Sequence, residues 1–77
     1  MEDRTILTRV DELVAEEHAL RQRGSLSDEE RARLTTLEAD LDQCWDLLRQ
    51  RRARREFGND PDAARVRPEP EVEGYLQ

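Results

Sequence analysis

A chain of 77 residues has room for one small domain, and with 35% hydrophobic and 42% charged residues it is too polar to build a thick globular core. Its net charge is −6, and all 13 basic residues are arginine. One cysteine, Cys44, excludes an internal disulfide framework, and a single histidine, His18, far from it in sequence argues against a metal staple.

The N-terminal MEDRTILTRV is charged and carries no apolar leader core, so no secretory signal is expected there. No apolar run approaches the ~20 residues needed to span a bilayer. The expectation is a soluble cytoplasmic protein with a reduced thiol and no membrane association.

In the first segment Ile6, Val10, Leu13, Glu17 and Leu20 recur at steps of four and three, flanked by Leu7 and Val14. This is a helical period with a heptad-like seam. It predicts helix 1 over about residues 4–23, capped by Asp3 or Thr5 and stopped at Gly24. Glu17 is the anomaly on that seam. A carboxylate there needs a cation, and Arg21 four residues on, or Arg31 or Arg33 across the hairpin, can supply it. An acid–base or metal role for Glu17 with His18 is disfavoured, because adjacent residues point about 100° apart on a helix and the positions three and four after His18 hold Arg21 and Gln22; a metal site across a dimer axis is the remaining alternative.

In GSLSDEE, Ser27 followed by Glu30 is a capping box. Helix 2 is predicted over about 28–57, with a seam of Leu34, Leu37, Leu41, Cys44 and Leu48 widened by Trp45 and Leu47. The short connection implies an antiparallel hairpin. In that register Leu13 faces Leu37 or Leu41, Ile6 lies near Cys44 and Trp45, and helix 1 runs out near Leu48.

Charge is segregated along the chain. Residues 1–26 hold six acids and four arginines, and 27–48 hold seven acids and two arginines. Residues 49–57 hold five arginines (Arg49, Arg51, Arg52, Arg54, Arg55) and one acid. That block is expected to project beyond helix 1 as a cationic arm. Cations suit a helix C-terminus, so the arm reads first as a charge-pairing element, with Asp46 three residues before Arg49 and Glu2 and Asp3 alongside the same end of the hairpin as its acids. An acidic protein surface or the phosphates of a nucleic acid are alternative partners.

After Gly58 the period is lost. NDPDAARV fits one short turn, with Asp60 as cap and Pro61 at the first helical position, and RPEPEVEGYLQ reads as extended or disordered. The domain organisation is therefore a hairpin over 1–57 and a flexible or extended acidic tail over 58–77. Val72, Tyr75 and Leu76 are the tail's only sizeable apolar residues, and Tyr75 and Leu76 are its candidate anchors.

The predicted fold class is thus all-α: a coiled-coil-like antiparallel two-helix hairpin with an extended C-terminal tail. Two helices meeting along one stripe leave much of the seam wet, and so short a chain needs reinforcement. Dimerisation into a four-helix bundle is expected to supply it, with Leu7, Val14, Trp45 and Leu47 at the second interface.

Asp42 and Asp46 beside Cys44 disfavour a thiolate, so Cys44 reads as a small buried hydrophobe. No phosphate loop, nucleophile elbow or zinc-ligand spacing is present. The expected role is non-enzymatic, with no cofactor, metal or small-molecule substrate. The protein is expected to be a homodimeric adaptor or regulatory partner of a larger assembly, with direct RNA or other nucleic-acid binding through Arg49–Arg55 as the alternative.

The stretches EEHALRQR, LEADLDQCWDLLRQRRARREFGNDPDAARVRP and VEGYLQ resemble a family of short actinobacterial proteins of unknown function, number 2630 in the series of such families. Its most specific part is the run from Asp42 to Arg52. The resemblance covers nearly the whole chain and implies a small helical protein of an actinobacterial cytosol. It implies no activity and no functional residues. The acidic helical character and terminal Gln77 also resemble prokaryotic ubiquitin-like modifiers. The diglycine of that family is absent, however, where this chain has Gly74–Tyr75–Leu76–Gln77, so its ligation chemistry does not carry over.

Overall fold

The structure, a computed structural model, describes residues 2–68. It contains two helices, α1 (Asp3–Arg21) and α2 (Asp28–Glu56), and a single 3-10 turn at Pro61–Ala63. There is no strand among the described residues.

α1 begins one residue earlier than its apolar period indicates. Glu2 is the N-cap through its backbone carbonyl, which accepts from the amides of Thr5 and Ile6. Neither Asp3 nor Thr5 caps: Asp3 is the first helical residue, and its carboxylate is committed elsewhere. The helix ends at Arg21, and Gly24 takes the left-handed conformation (φ 73°) in the turn that follows.

α2 opens on the capping box. Ser27 Oγ accepts from the Glu30 amide at 3.1 Å, and the Glu30 carboxylate accepts from the Ser27 amide at 3.0 Å. Arg23 from the turn pairs with the same carboxylate. The other end closes as a Schellman motif. Gly58 (φ 74°) donates to the Arg55 carbonyl and Asn59 to the Arg54 carbonyl, so the last carbonyls of 29 helical residues are not left bare.

The helices pack against each other along Ile6, Val10 and Leu13 of α1 and Leu37, Leu41 and Leu47 of α2, with Leu20 and Cys44 packed at the edge. Leu13 clusters with Leu37 and Leu41, as the hairpin register requires. The seam departs from expectation at its far end, where Leu47 is buried and Leu48 only half-buried. After Cys44 the stripe steps by three to Leu47 and then by four to Arg51, which is itself buried. Leu47 therefore belongs to the core of the single chain. Glu17, the seam's one acid, is half-buried and pairs with Arg21 at 3.7 Å.

The two flanks of the hairpin differ. Arg21 follows Leu20 and Glu38 follows Leu37, and the two meet at 2.6 Å, so positions just after a seam residue share one flank. Arg9 precedes Val10 and Asp40 precedes Leu41; they meet at 3.9 Å on the other flank. There, too, Arg33 makes a two-bond pair with Glu16, at 2.5 and 2.9 Å.

From Gly58 to the end of the described residues the chain stays against the hairpin. Asp60 caps the 3-10 turn, accepting from the Asp62 amide at 2.9 Å, with Pro61 in the first position. The chain then runs back along α2 as far as Arg67. Tyr75 and Leu76 lie outside the described residues.

Candidate interaction surfaces

The arginine block does not project as a free arm. α1 starts early enough that Asp3 lies beside Arg51 and Arg55. Arg51 Nε donates to Asp3 Oδ1 at 2.5 Å, and its Nη1 donates to Asp62 Oδ1 at 2.8 Å and to the Pro61 carbonyl at 3.2 Å. Arg55 donates twice to the same Asp3 carboxylate, at 2.7 and 3.1 Å. Those two guanidinium groups, Arg55 first, lower the Asp3 pKa to about 2. Arg52 pairs with Glu56 at 3.0 Å on the exposed side of α2. Arg49 is half-buried, and its charge contributes to holding Asp46 ionised. Arg54 is half-buried beside Phe57, which is 81% exposed. Arg51, Arg52 and Arg55 are thus engaged with carboxylates of this chain.

A second set of contacts ties residues 65–67 to α2. Asp46, 1% exposed, receives both Arg67 Nη2 and Arg67 Nε, the latter at 2.8 Å, together with Gln50 Nε2 at 2.9 Å. The Arg67 guanidinium first, and the Gln50 amide after it, hold this carboxyl below the ordinary carboxylate range against the opposing effect of burial. Gln50 also behaves like a neighbouring backbone. Its amide donates to the Arg65 carbonyl at 2.7 Å, and its carbonyl accepts from the Arg65 amide at 3.4 Å. Gln43 donates to the Arg67 carbonyl at 3.1 Å. Gln43, Asp46 and Gln50 are spaced three and four apart, so they form one polar stripe that reads an extended chain.

This strap was not legible from periodicity. The polar stripe Gln43–Asp46–Gln50 and the alternation Arg65–Val66–Arg67 were the available signals, and neither is specific. Asp46 reads from sequence as a neighbour of Cys44 and of Arg49, whereas its partner is Arg67, 21 residues away.

Between strap and seam lies a cleft of about 400 Å3 lined by Thr5, Ile6, Arg9, Asp40, Gln43, Cys44, Leu47 and Val66. Burial raises the Cys44 thiol pKa, which keeps it protonated. On the opposite flank, Leu7 follows Ile6, Val14 follows Leu13 and Trp45 follows Cys44. These three are 43–46% exposed, and no described segment crosses them. Of the four residues expected at a second interface, these remain at the surface and Leu47 does not.

No group of three potential metal ligands occurs among the described residues, and no described helix is long and apolar enough to cross a membrane.

No solved structure matches the chain. It is similar to the uncharacterised protein Rv0898c of Mycobacterium tuberculosis and to the uncharacterised protein Mb0922c of Mycobacterium bovis. Each is 53% identical, over an alignment covering 95% of this chain and 88% of the relative. The family of proteins of unknown function DUF2630 matches residues 2–77, and the chain belongs to that family.

Proposed function

We propose that this protein is a non-enzymatic helical adaptor of the cytoplasm that works as a homodimeric four-helix bundle and presents its remaining surface to a larger macromolecular partner. The observation that carries the reading is the asymmetry of the two flanks. One is covered by the strap, while the other leaves Leu7, Val14 and Trp45 half-exposed in a line. A tryptophan at such a position is a favoured interface anchor. A second copy, presenting the same line, is the simplest occupant.

The alternative, contact with nucleic-acid phosphates through Arg49–Arg55, is weakened by the ion pairs. A phosphate would have to displace Asp3 or Asp62 from Arg51, Asp3 from Arg55 and Glu56 from Arg52.

Light scattering on the purified protein at micromolar concentration tests the proposal. The expected result is twice the chain mass, falling to one chain mass in Trp45→Glu with helicity retained. A monomeric wild type would sink the bundle. RNA binding that weakens steeply with salt and is lost in Arg52→Glu/Arg54→Glu would favour the alternative.

A further inference from the structure

We propose that the cleft beside Cys44 is the docking site of residues 69–77, the segment that follows the strap in sequence. The strap advances along α2 in one direction: Asp62 meets Arg51, Arg65 meets Gln50, and Arg67 meets Asp46 and Gln43. That course leads toward Asp40, and the cleft already includes Val66 of the strap and Gln43 of its polar stripe. The cleft is therefore continuous with an interface the chain makes with itself.

Its floor, formed by Ile6, Cys44 and Leu47, is apolar, and Val66 stands at its edge 58% exposed, leaving apolar surface for a further side chain. The chain beyond Pro68 carries three sizeable apolar residues, Val72, Tyr75 and Leu76. Nine residues reach up to ~30 Å when extended. The tether gives this segment an effective concentration in the millimolar range, far above that of a free competitor. An occupied cleft would complete on this flank the cover that the strap begins. The inference does not depend on the adaptor reading, since the exposed line of Leu7, Val14 and Trp45 lies on the other flank.

Cys44, the only cysteine, reports on the cleft directly. Full-length chains carrying Val72→Cys, Tyr75→Cys or Leu76→Cys are oxidised with glutathione disulfide at low protein concentration. Non-reducing mass analysis then reads which disulfides form. The expected result is an intramolecular bond to Cys44 in at least one variant. Alkylation of Cys44 should also run about tenfold faster in full-length Val72→Asp/Tyr75→Asp/Leu76→Asp than in the wild type, with unchanged helicity. Intermolecular bonds alone would overturn the proposal in favour of a second copy's tail. No bond in any variant together with an unchanged alkylation rate would overturn it outright. Neither result alters the oligomeric state that tests the adaptor reading.

Discussion

Arg51 joins Asp3 to Asp62, so one guanidinium ties the first residue of α1 to the 3-10 turn that follows α2. The pairing spans 48 residues on one side and 11 on the other, and it sits where a seam of leucines would otherwise continue. Replacing Arg51 removes the cation that Asp3 and Asp62 share and a buried side chain at the end of the seam, leaving Asp3 with Arg55 alone. Arg51→Ala should therefore lower the thermal midpoint clearly more than Arg52→Ala, whose ion pair is exposed and belongs to one helix. Arg51→Lys should rescue only part of the loss, because an ammonium cannot reproduce the fixed planar donors that reach Asp3 from Nε and Asp62 and the Pro61 carbonyl from Nη1. Equal midpoints for the Arg51→Ala and Arg52→Ala chains would refute the role given to Arg51.

Asp46 is the corresponding anchor of the strap. Asp46→Asn removes a buried charge that accepts from Arg67 and Gln50, an effect of about 2 kcal/mol for hydrogen bonds to a charged group. The cost falls on the strap and not on the hairpin. Amide exchange should accelerate over residues 59–68 while α1 and α2 keep their protection. Combining Asp46→Arg with Arg67→Asp should restore slow exchange, whereas either alone should not. Uniform acceleration throughout the chain would show that strap and hairpin unfold as one unit.

What was legible in the sequence follows from what has a period or a local signature. Ile6, Val10 and Leu13 announce α1, the Ser27–Glu30 box announces the start of α2, and Gly58 announces its end. Glu17 found Arg21 because a pair four apart is set by helix geometry alone. The strap was not legible, because Arg67–Asp46 joins residues with no periodic relation, whereas the hairpin register does bring Asp3 to the arginine end, where it meets Arg51 and Arg55. The choice between Leu47 and Leu48 also lay beyond the pattern. Both fit a seam widened by one residue, and it is Leu47 that the folded chain buries. The same pairs turned the cationic arm into a clasp.

Acid should loosen the molecule in a defined window. Asp3 is lowered from an ordinary 3.8 to about 2, and Asp46, Asp62, Glu16 and Glu30 are lowered as well. A carboxyl whose folded pKa is depressed adds stability above its unfolded pKa and loses it as pH falls through the folded one. Urea midpoints should thus be level above about pH 5 and fall between about pH 4 and pH 2. The Asp46→Asn chain should show a shallower fall. Stability that rises on acidification through this window would contradict the ion pairs.

The contrast between Leu37 and Trp45 separates the fold from its surface. Leu37 is fully buried among Val10, Leu13 and Leu41. Leu37→Ala leaves a cavity with few neighbours able to collapse into it, at a cost of about 2–5 kcal/mol. A 77-residue chain has little stability to lose, so circular dichroism at 25 °C should show a large loss of helix. Trp45 is 43% exposed, and truncating it removes little from the core of one chain. In a monomer Trp45→Ala should be nearly silent, with a midpoint independent of protein concentration. In a dimer the midpoint should rise with concentration for the wild type and lose that dependence on Trp45→Ala. Measuring both variants across a hundredfold concentration range therefore tests the core and the exposed flank in one experiment. A concentration-independent wild type would leave Trp45 without a partner copy.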